Sequence, residues 1–271
     1  MGAQELNAIV RQKIEVSPSL IILRVAPDGW EMPDFKPGQF NVLALPGSAP
    51  RCKYSDEETE ELDPDKLIKR AYSASSSSSE KEYVEFYITL LGSGALTPRL
   101  FALEVGDKLW MGKKFTGMFT IDDIPKESNI VFLATGTGLA PYMSMIRSDL
   151  DHTLDRRYAV LHGANHSWDL GYEAELIAMQ RMSPNFTYLP MISQPEEEPA
   201  PWKGHSGFVQ ELWTEGILEE AWGFKPTPEN THVLLCGNPL MIEFMVRHLT
   251  EEGYVEQTKK IPGQLHLERY W

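Results

Sequence analysis

Hydrophobic and polar positions follow one pattern in roughly the first 120 residues of the chain and a different pattern in the rest. In the first part, short runs rich in β-branched and aromatic residues recur between turns that contain glycine and proline. Regularly spaced short strands with little helical periodicity predict an antiparallel barrel or sandwich. The predicted strands cover residues 20–26, 38–45, 69–75, 82–91 and 106–113.

One helix interrupts these strands, at residues 96–106. Thr97 is a suitable N-cap, because its hydroxyl can accept a hydrogen bond from the first helical turn. Pro98 would then occupy the first helical position, where the missing N–H is not needed, and Gly106 follows the end of the helix.

From about Pro125 onward, near-continuous apolar runs alternate with stretches of helical periodicity. Such runs are typical of strands that are buried on both faces of a parallel sheet. The alternation predicts an open α/β sheet that binds a nucleotide at the carboxyl ends of its strands. The predicted strands are 129–135, 157–164, 186–193 and 231–238, and the predicted helices are 138–150, the segment after Asp169, 207–221 and 239–252.

The change of pattern divides the chain into two predicted domains. Residues 1–122 form an antiparallel β-barrel domain and residues 126–271 form an α/β domain. Two charged segments stand out, the acidic run 55–65 and the proline- and glutamate-rich run 193–207, and we expect both to be solvated surface. For the five serines at 75–79 we expect a flexible hairpin tip.

Composition narrows the possible functions. The chain of 271 residues has a formal net charge of −14, which argues against nucleic-acid binding because such binding needs a basic face. No apolar run approaches the ~18 residues of a membrane helix. Two cysteines, Cys52 and Cys236, are too few for a thiolate metal centre and indicate a reducing compartment. With no apolar signal core near the start, we expect a cytoplasmic protein without a metal site or a membrane partner.

Four short motifs occur in order along the chain, and the first two lie in the barrel half. In "RAYS", Arg70 can pair bidentately with a phosphate, and Tyr72 offers a flat ring on the same strand face. In "GALT", backbone amides before a helix and the Thr97 hydroxyl can attract an anion. Taken singly, an ordinary half-buried strand is the default explanation of the first motif, and a simple capped helix is the better explanation of the second.

The other two motifs end strands of the α/β half. "ATGTGLAP" (134–141) places glycines at the end of the first parallel strand, where the backbone can approach a ligand closely. "LLCGNP" (234–239) places Cys236 at a strand end before a helix that begins with proline. A tight turn without a ligand and a buried structural thiol are the alternatives for these two motifs.

With these motifs in this order, the chain resembles the ferredoxin (flavodoxin)–NAD(P) reductase family, and closely its bacterial members that end in Tyr-Trp. The resemblance covers nearly the full length, because it also includes the His-Gly pair at 162–163 and the terminal "ERYW". It implies a six-stranded antiparallel FAD-binding barrel followed by an open parallel-sheet domain for the nicotinamide nucleotide.

The resemblance also implies roles for individual residues. Arg70 would bind the flavin phosphates, Tyr72 would stack on the isoalloxazine, and Ser73 would lie near its reactive N5. The other expected FAD-binding residues are Ala71, Tyr87, Ile88, Thr89, Ala95, Leu96 and Thr97, with Tyr270 on the other flavin face and Trp271 against the adenosine. The expected residues for the nicotinamide nucleotide are Gly136, Thr137, Gly138, Pro141, Ala164, Asn165, Gln194, Phe208, Gly237 and Asn238.

The implied reaction is hydride exchange between flavin N5 and nicotinamide C4, followed by single-electron transfer to ferredoxin or flavodoxin. The expected catalytic residues are Ser73, Cys236, Glu268 and Tyr270. The first three would shape the pocket around the reacting atoms rather than act as covalent nucleophiles, because the redox chemistry belongs to the cofactors. FAD is the expected cofactor, NADH or NADPH the expected substrate, and a monomer the expected state.

The nucleotide preference depends on three positions. The 2′-phosphate of NADP needs arginine or lysine partners, and the bacterial relatives supply three arginines. The matching positions here hold Asn165, Gln194 and Phe208, and Glu196–Glu198 add negative charge nearby in sequence. We therefore expect NADH to be accepted at least as well as NADPH.

Two other functions remain open at this stage. Lys203, His205 or Arg181 could reach the phosphate, which would give an NADPH-specific ferredoxin reductase. A regulatory module could bind nucleotides without turnover, although the retained residues of the flavin and nicotinamide pockets argue against it.

Overall fold

The computed structural model describes residues 5–59, 62–150 and 155–269. The chain divides into two compact units. The first unit comprises Met1–Thr120 and Ala140–Asp149, and the second comprises Ile121–Leu139 and Leu150–Trp271. No helix within the described ranges is both long and apolar enough to cross a membrane.

The first unit contains a six-stranded antiparallel sheet with the strand order β4-β3-β6-β1-β2-β5. Alternating apolar side chains, such as Leu23, Leu43 and Phe86, fill its core because successive strand residues face opposite sides. The strands are β1 (Ala8–Ser17), β2 (Leu20–Pro27), β3 (Phe40–Pro46), β4 (Leu67–Ser73), β5 (Val84–Thr89) and β6 (Lys108–Met111), and helix α1 is Thr97–Ala102. Five of the six strands coincide with predicted runs, whereas β1 carries too many charged residues to stand out.

Helix α1 does not begin as the sequence predicts. Leu96 is the N-cap residue and makes no side-chain cap, while Thr97 is already helical. The Thr97 hydroxyl instead donates to the Leu91 carbonyl over 3.1 Å and accepts the Leu91 N–H over 3.0 Å. The prediction of Thr97 as N-cap is therefore wrong, because its hydroxyl fastens the preceding turn to the helix.

The second unit contains a six-stranded sheet with the order β10-β9-β8-β7-β11-β12, whose strand pairs are all parallel. Together with the antiparallel sheet, it confirms the predicted fold class. The strands are β7 (Asn129–Thr135), β8 (Tyr158–Ala164), β9 (Phe186–Ile192), β10 (His205–Ser206), β11 (Thr231–Cys236) and β12 (Leu265–Glu268). The helices that follow β6 along the chain are α2 (Ala140–Asp149), α3 (Glu173–Met182), α4 (Glu211–Thr214), α5 (Ile217–Trp222) and α6 (Pro239–Glu251).

The predicted helix 207–221 is divided in two. Gly216 separates α4 from α5 and has a φ of 75°, a left-handed conformation that glycine adopts without steric cost. Helical periodicity continues across the break, so the sequence pattern alone merges the two helices.

Helix α2 groups with the first unit, whereas the sequence assigns it to the second domain. The difference arises from its side chains. Arg147 pairs with Glu85 of β5, Tyr142 packs against Phe119, and the Ser148 hydroxyl accepts the Ser78 N–H. These contacts attach the helix to the barrel sheet.

Two segments predicted to be solvated make specific contacts instead. In the acidic run 55–65, Glu58 pairs with Arg51 and Arg99. In the serine run, Ser75 and Ser76 are buried against Glu85. The Ser75 hydroxyl donates to the Glu85 carboxylate, and the Ser76 hydroxyl accepts the Glu85 N–H. These two expectations are wrong at those residues, because buried partners elsewhere in the barrel satisfy the polar side chains.

Candidate functional site

The outer edge of β5 is the first element of the site. Strands β4 and β5 are the two ends of the sheet order, and among the described residues a single bridge, Ala74 to Phe86, joins them outside the ladders. The Glu85 carbonyl accepts the Ser75 N–H at this edge. Because backbone groups alternate along an antiparallel strand, Tyr87 and Thr89 direct their N–H and C=O groups to the same side as Glu85. The groups at these two positions and the bridge to β4 therefore lie on one side of β5.

Strand β4 carries the RAYS residues. Tyr72 is half-buried and meets the Phe86 ring edge-on at 6.5 Å between centroids, and burial raises the pKa of its hydroxyl. Ser73 is buried, whereas Ala71 and Arg70 are exposed. The Arg70 guanidinium donates to the Lys69 carbonyl over 2.8 Å, so it lies along its own strand.

The loop before α1 presents backbone amides. Arg51 donates to the Gly94 carbonyl and Arg99 donates to the Ala95 carbonyl. In a trans peptide the carbonyl and the next N–H point in opposite directions, so the N–H groups of Ala95 and Leu96 point away from the two arginines. No acceptor for either N–H occurs among the described residues. Two adjacent N–H donors without a protein acceptor fit an anionic group such as a pyrophosphate.

In the second unit, the turn after β7 lies against the turn after β11. A Cβ on Gly138 would stand 2.3 Å from the Cys236 carbonyl oxygen, and a Cβ on Gly237 would stand 2.2 Å from the Thr135 hydroxyl oxygen. The Thr135 hydroxyl accepts the Asn238 N–H over 2.6 Å. Only glycines allow this approach, which brings the two predicted motifs together at the carboxyl edge of the sheet.

Helix starts follow both turns. The segment Gly136–Leu139, which contains Thr137, is a 3-10 turn that leads into α2, and Pro141 lies in the first turn of that helix. Asn238 caps α6, since its side chain accepts the Leu240 N–H over 2.8 Å. The predicted nucleotide residues of both motifs thus lie on rigid element ends.

Cys236 and Glu268 lie side by side, because they are register partners on the parallel strands β11 and β12. Cys236 is fully buried, and Glu268 is half-buried. Burial raises the pKa of Glu268 to about 7, so its carboxyl group can hold a proton near neutral pH. Ser73 belongs to the first unit, and Tyr270 and Trp271 lie outside the described residues.

The three positions expected to contact the adenosine end also lie near the carboxyl edge. The Gln194 N–H donates to the Asn165 carbonyl over 3.0 Å, so the loops after β8 and β9 are joined, with Ala164 ending β8. Phe208 follows Gly207, whose N–H donates to the last residue of β9, Ile192. The Phe208 side chain is 63% exposed and is available for a flat ligand.

Two carboxylates of the 193–207 run bind the loop after β8. Glu198 accepts both the N–H and the hydroxyl of Ser167, each over 2.7 Å, and these two bonds hold the pKa of Glu198 below its usual range. Glu197 lies 2.9 Å from His166 Nε2. Although partial burial lowers the pKa of His166, Glu197 and Asp169 raise it above its ordinary value. Ionised carboxylates therefore already take the polar donors of this loop.

Sequence reasoning missed several of these residues. It did not single out Ser167 or His166, and it treated Glu197 and Glu198 only as nearby charge. Arg51 and Arg99 were also missed. The one available signal was Arg99, two residues after "GALT" in an apolar stretch, since a buried arginine needs carbonyl or carboxylate partners. Arg51 leaves no local signal, because it lies 43 positions before Gly94.

A parallel sheet with glycine-rich turns at its carboxyl edge, in one chain with a six-stranded antiparallel sheet, is an architecture typical of nucleotide-binding oxidoreductases. In agreement, the family model of the oxidoreductase NAD-binding domain matches residues 132–247. The chain is 30% identical over 207 residues to the flavodoxin/ferredoxin–NADP reductase of Buchnera aphidicola subsp. Baizongia pistaciae, which covers 76% of this chain and 82% of the relative. The chain belongs to the ferredoxin (flavodoxin)–NADP reductase family, as its motifs predicted.

Two further similarities concern the fold and the names of similar proteins. The ferredoxin–NADP+ reductase of Neisseria gonorrhoeae, whose structure contains bound FAD and NADP, superposes with a TM-score of 0.81 at 24% identity and covers 98% of each chain. A relative named as part of the Na+-translocating NADH-quinone reductase of Pseudomonas aeruginosa is 28% identical over 249 residues, which cover 84% of this chain and 59% of the relative. Similar proteins therefore carry names with either nicotinamide nucleotide.

Proposed function

We propose that the protein is an FAD-dependent oxidoreductase that takes hydride from a nicotinamide nucleotide and passes single electrons to ferredoxin or flavodoxin. We further propose that it accepts NADH at least as well as NADPH. The observation that carries the nucleotide preference is the binding of Glu198 to the Ser167 N–H and hydroxyl.

The residues present fit FAD. The Tyr72 ring offers a stacking surface, and the Ala95 and Leu96 N–H groups suit the pyrophosphate. When bound, FAD supplies the exchange between two-electron and one-electron transfer. The Thr97 hydroxyl contributes by fixing the loop rather than by contacting phosphate, because it already bonds Leu91.

Nicotinamide-nucleotide binding is supported at the carboxyl edge of the second sheet. Gly138 and Gly237 let the turns after β7 and β11 pack together, and Gly136, with open space beside its Cα, lets the backbone approach a pyrophosphate. Phe208 offers a ring to the adenine. Cys236 and Glu268 lie together at the end of β11 and β12, where they can orient a nicotinamide and hold a proton at the Glu268 carboxyl.

The preference for NADH follows from charge. Arginines are absent from positions 165, 194 and 208, and Glu197 and Glu198 hold the donors of the neighbouring loop. A carboxylate about 6 Å from a doubly charged phosphate costs about 1.4 kcal/mol even at the dielectric constant of water, which is about tenfold in affinity. NADH carries no 2′-phosphate and does not meet this repulsion.

A second candidate, an NADPH-specific reductase, is favoured by one observation. Strand β10 places His205 opposite Met191, one residue before the end of β9, so His205 and the nearby Lys203 lie near the carboxyl edge. Arg181 does not support this candidate. It lies in the last turn of α3, and a helix that follows a parallel strand returns toward the amino edge of the sheet.

The experiment compares kcat/KM for NADH and NADPH in dye reduction by the FAD-loaded protein. We expect E198Q to raise kcat/KM for NADPH about tenfold while that for NADH changes less than twofold. E196Q is the matched control, because Glu196 is exposed in the same turn. A wild-type protein with a strong NADPH preference that is lost in K203A would support the second candidate instead.

A further inference from the structure

The acidic run 55–65 has no role in the proposed function, yet one of its carboxylates is firmly bound. Glu58 forms a two-pronged pair with Arg99, in which each carboxylate oxygen lies 2.8 Å from a guanidinium nitrogen. Its Oε1 also accepts from Arg51 over 3.1 Å. The Arg99 side chain is 2% exposed and the Arg51 side chain 15%, so Glu58 is the counter-charge of two largely buried cations.

The same two arginines hold the carbonyls of the loop before α1. Arg51 donates to Gly92 over 2.9 Å and to Gly94 over 3.0 Å, and Arg99 donates to Ala95 over 2.7 Å. Three carbonyls of one short loop are thus turned toward the guanidinium groups. The N–H groups that follow them in the chain must point the other way, because each peptide unit is planar and trans.

A guanidinium can hold several carbonyls at once only if its plane is fixed. Arginine presents its donors in a rigid fork, and a carboxylate that engages two nitrogens sets the orientation of that fork. Glu58 orients Arg99 in this way and adds one bond to Arg51. Asp56 adds to the arrangement, since its carbonyl accepts from Arg51 and its N–H donates to Gly92.

We propose that Glu58 is a positioning residue for FAD, because through Arg51 and Arg99 it fixes the orientation of the Ala95 and Leu96 amides that receive the pyrophosphate. The inference rests on the proposed function, in that it takes FAD as the ligand of these amides. The proposal assigns a function to the acidic run, because one of its carboxylates holds the two arginines that order the loop before α1.

If Glu58 acted only through its charge, its removal would change the affinity for FAD in the opposite direction. Removal of a negative charge near the loop would strengthen the attraction for pyrophosphate, whereas loss of positioning would weaken binding. Arg51→Lys separates the two effects, because lysine keeps the positive charge but cannot bridge the Gly92 and Gly94 carbonyls in one plane.

The test measures the dissociation constants of FAD and of riboflavin, which has no phosphate, for folded apoproteins of the wild type, E58Q, R51K and E57Q. Quenching of flavin fluorescence reports binding, and circular dichroism verifies that each apoprotein is folded. E57Q is the matched control, because Glu57 is an exposed neighbour in the same run. We expect E58Q and R51K each to weaken FAD binding at least tenfold, riboflavin binding to change less than twofold, and E57Q to match the wild type.

The inference is overturned if E58Q and R51K bind FAD within twofold of E57Q, or if E58Q binds it more tightly. Equal weakening of FAD and riboflavin would also overturn it, because that result indicates a general loosening of the barrel. If R51K alone folds, its result decides by the same criteria. A wild-type protein that binds no FAD contradicts the proposed function itself, and the inference with it.

Discussion

Glu85 of β5 is a buried carboxylate that pairs with two arginines of the first unit. Its side chain is 2% exposed and lies 2.7 Å from Arg24 Nε and 2.6 Å from Arg147 Nη1. It therefore joins the barrel sheet to helix α2, which follows the turn that contains Thr137. The E85Q substitution keeps the shape of the side chain and removes the charge.

The magnitude follows from burial. Breaking a buried ion pair by changing one partner costs about 3–5 kcal/mol, and charge-assisted hydrogen bonds contribute about 1.5–3 kcal/mol each. Because Arg147 is 16% exposed and Arg24 is 30% exposed, water can solvate both after the change. We therefore expect the lower end, about 3 kcal/mol, which corresponds to a fall of about 10 °C in Tm for a unit of this size.

The assay is thermal unfolding of the apoprotein followed by circular dichroism, with E82Q as control. Glu82 is exposed two residues before β5, so its substitution should change the free energy of unfolding by less than about 0.5 kcal/mol. If E85Q unfolds within 2 °C of E82Q, the ion-pair network does not stabilise the unit and the reasoning is refuted.

Two further predictions concern the second unit. Gly138→Ala should destabilise the apoprotein by at least about 2 kcal/mol and weaken nucleotide binding, because its Cβ would overlap the Cys236 carbonyl; unchanged denaturant unfolding and nucleotide affinity would contradict this. Glu268→Gln should flatten the dependence of the free energy of unfolding on pH. With a pKa raised to about 7, Glu268 binds its proton more tightly in the folded protein than in the unfolded chain. Its contribution to the free energy of unfolding is therefore complete below about pH 4.5 and is lost as the pH rises through 7. After allowance for its partial exposure, we expect the free energy of unfolding of the wild type to fall by about 1–2 kcal/mol more than that of E268Q between about pH 5 and 8. Equal changes in the two proteins would contradict the prediction.

Local patterns predicted most of the fold. Strand β7 begins and ends where its apolar run does, because a strand buried on both faces needs apolar residues throughout. Strand β10 was missed because it is only two residues long, and β12 was missed because Leu265–Glu268 alternates apolar and polar residues instead of forming a continuous apolar run. The sequence of helix α2 does not indicate its unit, because the partners of Arg147, Tyr142 and Ser148 that attach it to the first unit are distant along the chain.

The sequence predicted the parts of the candidate site that glycine spacing determines. It did not predict the parts that depend on pairs of side chains far apart in the chain. The close approach of Gly138 to Cys236 is encoded in two motifs whose residue types allow few alternatives. The pairing of Glu58 with Arg99 spans 41 positions, and that of Glu198 with Ser167 spans 31, so neither leaves a local pattern. Such pairs depend on which loops the fold brings together, and a charge run looks the same whether it is solvated or bound.

The most direct test of the account is anaerobic stopped-flow reduction of the FAD-loaded protein with NADH and with NADPH, followed by loss of flavin absorbance. The account predicts that NADH reduces the bound flavin at least as fast as NADPH at equal subsaturating concentration. A protein whose flavin is reduced by NADPH alone would contradict the proposed preference, and one whose flavin neither nucleotide reduces would contradict the proposed function.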